Sequence, residues 1–95
     1  MHITSRKTKR VLEVTVYVTD TPGIGIAQDT MRYTPDRVTV AYSNEGAGWR
    51  VLAVGVSGVR AVSKLRSSNA WGTHDLNTAP GWIKKIAADH MPKDD

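Results

Sequence analysis

A chain of 95 residues with no cysteine is one domain's worth of polypeptide, and it contains neither a disulfide nor a thiolate metal site. At this size folding removes only roughly 60–65 % of the surface that the unfolded chain exposes, so packing, a helix or an oligomer must supply the stability. The formal net charge of +4 is localised: Arg6, Lys7, Lys9 and Arg10 account for all of it, while residues 11–95 hold nine basic and nine acidic groups.

Residues 1–9 are polar and basic and read as a loosely held arm ahead of a domain over 10–92, with 93–95 as a tail. Glu13 and Asp20 interrupt any apolar stretch after the arm, which argues against a signal peptide. No run approaches the ~20 apolar residues that a membrane-spanning helix needs. From Arg10 to Thr19, Val14, Val16 and Val18 alternate with Thr15, Tyr17 and Thr19, the period-two pattern of a strand. Asp20-Thr21-Pro22-Gly23 supplies a turn, since Pro presets φ and Gly accepts the left-handed region. Residues 24–35 read as an irregular returning strand, with a short helical turn as the competitor. Val38, Val40 and Tyr42 alternate again, and Asn44–Gly48 has the composition of a hairpin loop.

Trp49–Arg66 is the longest β-like stretch. Ser57-Gly58 within it reads either as a tight turn dividing two strands or as a bulge in one. Beyond it, Arg60, Lys64 and Arg66 are expected on one strand face. The following residues, around Trp71, read as a polar loop. Thr78 is a capping candidate, Pro80 suits a first turn, and Trp82, Ile83, Ile86 and Ala87 recur at helical spacing before Pro92. The expectation is an α+β domain, an antiparallel sheet of about four strands followed by one C-terminal helix packed on one face.

At Gly48-Trp49-Arg50-Val51, Val54–Arg60 and Ala79-Pro80-Gly81-Trp82-Ile83 the chain resembles small uncharacterised proteins of actinobacteria and their phages, over roughly residues 37–91. That group has no established activity, so the resemblance carries over no catalytic or binding residue. It implies a cytoplasmic accessory protein of phage or mobile-element origin, and the lack of cysteine fits a reducing compartment.

Catalytic signatures are not recognisable. His74-Asp75 has the form of an oriented base but lacks a partnered nucleophile, and a solvated turn is the simpler reading. Asp89-His90 offers one helical histidine where zinc wants recurring ligands, and Gly23-Ile24-Gly25 lacks the rest of a phosphate loop. The chain therefore reads as non-enzymatic, with no cofactor, metal or small-molecule ligand indicated. Two binding readings remain. Trp71 in a loop is either an interface anchor or a lid over the sheet, and a protein partner, self or host factor, follows from the first alternative. Arg50, Arg60, Lys64 and Arg66, with Arg6, Lys7, Lys9 and Arg10, form a stripe suited to salt-sensitive, sequence-independent nucleic-acid binding. The competing reading is a solvated edge strand guarded by its cations.

Overall fold

The computed structural model describes residues 2–8, 11–21, 33–44, 46, 48–60 and 63–93. Among the described residues five strands, β1 (His2–Thr8), β2 (Val11–Tyr17), β3 (Tyr33–Asn44), β4 (Trp49–Arg60) and β5 (Arg66–Gly72), form one sheet in the order β1-β2-β3-β4-β5, every neighbour antiparallel. A 3-10 turn (Leu76–Thr78) leads into the helix α1 (Gly81–Asp89). The expected α+β layout of an antiparallel sheet followed by one helix is what the chain adopts.

The differences are local. Within the basic N-terminal segment, His2–Thr8 pairs in register with β2 from His2↔Tyr17 to Thr8↔Val11. Though polar and basic, the segment holds Ile3, Thr4 and Thr8, β-branched residues that suit a strand once a neighbour offers a backbone ladder. Ser57-Gly58 does not divide β4. The strand runs through it, and the irregularity lies opposite, where Asp36 on β3 is left out of register between Pro35↔Gly58 and Arg37↔Ser57. Neither a turn nor a bulge thus falls at Ser57-Gly58; the extra residue lies on the neighbouring strand. A second shift between Ala41 and Tyr42 leaves out Leu52 of β4. The expected returning strand over 24–35 is described only from Tyr33 onward, where it is continuous with β3; residues 24–32 lie outside the described residues.

Alternation sends Val14, Val16, Val38, Val40, Tyr42, Val54 and Val56 to one face, where all are buried with Ile83 and Ala87 of α1. Trp82 and Ile86 pack on this core from its margin. The Tyr42 hydroxyl donates 2.6 Å to the Ala87 carbonyl in the last turn of α1, fixing the helix over β3. Burial pushes the Tyr42 pKa up to about 12, with the nearby Asp89 charge adding to the rise. Pro80 is the residue before the first helical position, and Thr78 does not cap α1; its hydroxyl donates instead to the Asp75 carbonyl. The β3–β4 hairpin turns where expected, with Gly46 and Gly48 at φ of 103° and 99°.

Candidate functional site

The sheet's second face is not covered by any described element. Glu13, Thr15 and Tyr17 on β2 pair across it with Ala41, Thr39 and Arg37 on β3, followed by Ala53, Gly55 and Ser57 on β4 and Gly72, Ala70 and Ser68 on β5. Gly55 puts no side chain at the centre of the rung Thr15–Thr39–Gly55–Ala70. A shallow depression of about 330 Å³ results, walled by Arg37, Thr39, Ser57 and Ser68. The Arg37 guanidinium lies 5.4 Å from the centre of the Tyr17 ring. This face is polar and hydroxyl-rich, as one side of an antiparallel sheet in water is able to be.

The cationic stripe expected from sequence is not assembled. Arg60 ends β4, Lys64 occupies the turn with φ 63°, and Arg66 opens β5, so no single strand carries the three. Arg60 donates through Nε to the Ser67 hydroxyl. Arg66 reaches across β4 to the out-of-register Asp36, donating from both terminal nitrogens at 2.7 and 2.9 Å, and touches Ser57 Oγ at 3.2 Å. The Arg66 hydrogen bond holds the Asp36 carboxyl below its ordinary range, and the same contact raises Arg66. Arg50 lies near the far end of β4, opposite Ser43. Arg6 and Lys7 fall in β1, at the opposite edge of the sheet from Arg60 and Arg66, while Lys9 and Arg10 lie outside the described residues. The sequence could not foresee this, because the turn between β4 and β5 falls inside the run read as one strand.

Trp71 is in strand β5, not in a loop. It pairs with Val54, faces the core side and is half-buried there. The polarity of Ser67-Ser68-Asn69 disguised the strand. Two of these residues turn toward the core face with their polar atoms satisfied: Ser67 accepts from Arg60, and Asn69 Oδ1 accepts 2.7 Å from the buried Tyr33 hydroxyl, whose pKa burial raises. Buried polar groups persist where partners of this kind exist. The only foresight available in sequence was period two itself, since Ser67, Asn69 and Trp71 alternate with Ser68 and Ala70.

Asp75 closes β5. Its Oδ1 accepts from the Gly72 N–H at 2.6 Å, and its carbonyl accepts from Thr78 N–H at 3.0 Å, which is the turn role weighed against catalysis. His74 beside it is exposed. His90 Nδ1 lies 3.0 Å from the Ile86 carbonyl at the end of α1. Gly23-Ile24-Gly25 lies outside the described residues. Among the described residues no three His, Asp or Glu side chains converge as metal ligands, and no helix is long and apolar enough to cross a membrane.

The feature most suited to binding is therefore the edge of the sheet at β5. It ends the strand order, and among the described residues no further strand pairs with it. Natural edges are commonly guarded by lysine, proline or a bulge. Ser67–Gly72 holds no charged residue and no proline, and its register with β4 runs unshifted from Ala53↔Gly72 to Val59↔Arg66. The opposite edge, β1, carries Arg6 and Lys7. No family model matches the chain, and no curated protein or solved structure matches it either.

Proposed function

We propose that this chain is a non-enzymatic interaction protein, an accessory protein of the phage or mobile-element kind that its sequence resembles, and that it binds protein through strand addition at β5. The observation that carries the reading is the uncharged edge Ser67–Gly72 with Trp71 half-buried beside it. An added strand gains main-chain hydrogen bonds along the edge, while alternate side chains supply selectivity. Trp71 supplies the anchor, since a large amphipathic ring that is partly packed loses little conformational freedom on being covered. The sheet's rigidity supports this use, because β5 is backed by β4 along its whole length and pinned at both ends, by Arg66–Asp36 and by Asp75.

The nucleic-acid reading loses its best constellation, because Arg66 is engaged with Asp36 and Lys64 lies in a turn. The deciding experiment is affinity capture from the native host with wild type and with Ser68→Lys/Ala70→Lys, two exposed positions of β5. A specific protein retained by wild type and lost with the variant supports strand addition. Equal capture by both, or retention of nucleic acid that salt removes, defeats it.

A further inference from the structure

The same edge is compatible with itself, and we infer that its occupant is a second copy of this chain, joined β5 to β5 in antiparallel register about a two-fold axis at Asn69. The inference rests on β5 being the binding edge, and it names the partner. A two-fold axis normal to the sheet keeps both helices on one side, so inward residues must meet inward residues. Centring on Asn69 satisfies this along all seven residues of β5. Ser67 then lies opposite Trp71 of the second copy and Ser68 opposite its Ala70, while Arg66 lies opposite its Gly72. No like charges meet across the junction. Arg66, the one charged residue of β5, is already held by Asp36 of its own chain. Trp71 gains cover from the second copy's Ser67 on the core side, where it is only half-buried in the single chain.

The charge layout selects this edge over the other. All of the +4 resides in Arg6, Lys7, Lys9 and Arg10, of which Arg6 and Lys7 lie in β1. With four spacings in each copy and one across the junction, the two β1 strands lie nine inter-strand spacings apart, roughly 43 Å at ~4.8 Å each. That exceeds the ~8 Å screening length at physiological salt, so the cationic edges scarcely repel each other in a β5-joined pair. A β1-to-β1 pair would bring them together. Seven residues at ~3.4 Å rise give a junction roughly 24 Å long, burying less than the ~800 Å² per partner of a standard interface, so the dimer is weak and concentration-dependent.

Sedimentation velocity of the full chain from micromolar to millimolar concentration tests this. Wild type is expected to pass from monomer to dimer and stop there. Ser68→Lys/Ala70→Lys and Ser68→Glu/Ala70→Glu, which place like charges opposite one another across the axis, are each expected to remain monomeric with unchanged circular dichroism. An equimolar mixture of the two is expected to restore the dimer as a mixed species. A monomeric wild type at millimolar concentration, an open-ended series of larger species, or a charge-swapped mixture that fails to associate overturns the inference. Should wild type stay monomeric yet capture a host protein that Ser68→Lys/Ala70→Lys loses, the second copy is refuted and strand addition at β5 stands. If self-association and variant-sensitive capture are both absent, both are refuted.

Discussion

Gly58 is a glycine at which the fold leaves no room for a Cβ. It sits on β4 opposite Pro35, beside the out-of-register Asp36. A Cβ there would collide with the Thr34 carbonyl and lie 2.7 Å from Pro35 Cα, whereas carbons in contact sit roughly 3.5–4.0 Å apart. Relief requires β3 to retreat by about an ångström, which its neighbours oppose. Asp36 accepts the Val18 N–H at 3.1 Å and holds Arg66, and Val38 is locked between Val16 and Val56. Overpacking commonly costs ~1–3 kcal/mol, and here the colliding atoms are backbone, which no rotamer change can clear, so Gly58→Ala is expected to cost ~3 kcal/mol or more. Domains of this size are stable by roughly 5–14 kcal/mol, and 1 kcal/mol corresponds to ~4–8 °C in Tm, so the expected fall is ~12–24 °C. Gly55→Ala is the control, since its new Cβ meets nothing closer than the Asn69 carbonyl oxygen at 3.9 Å. It should lie within ~0.5 kcal/mol of wild type. Thermal and urea unfolding followed by circular dichroism measure both. A Gly58→Ala protein within ~1 kcal/mol of wild type would refute the close crossing of β3 and β4.

Tyr42→Phe removes the hydroxyl that ties α1 to the sheet and leaves the Ala87 carbonyl without that donor, with an expected loss of ~1–2 kcal/mol in urea unfolding. Because the folded protein holds the Tyr42 proton to about pH 12 and the unfolded chain releases it near 10, wild-type stability is full below pH 10 and falls as pH rises toward 12. The variant should show a shallower alkaline decline, and an unchanged decline would count against Tyr42 as its source. Asp36 has the opposite sign: its lowered pKa supplies stability above the ordinary carboxylate value that is lost as pH falls through the folded one. Asp36→Asn should therefore lower neutral stability slightly, as expected of an exposed pair, and flatten the acid limb of a melting-temperature profile by the same small amount. An acid limb as steep as that of wild type would assign the limb to other carboxylates.

The parts of this protein legible in its sequence are those where one local rule acts without competition. Valine alternation from Val14 to Val18 and from Val38 to Tyr42 specified both the strands and their inward face, because a period of two leaves one choice of side. The apolar spacing of Trp82, Ile83, Ile86 and Ala87 specified the helix in the same way. Tertiary partners decided the remainder. Ser67-Ser68-Asn69 has no intrinsic preference for a strand. It became β5 because β4 offered a ladder and because Arg60, just across the turn, and Tyr33, 36 residues away, satisfied its inward polar atoms. The basic run Arg60–Arg66 looked continuous until a turn at Lys64 divided it between two strands, and Asp36, 30 residues away, claimed Arg66. The candidate edge therefore emerged only in three dimensions, since whether a polar segment is a loop or the last strand of a sheet depends on what lies beside it.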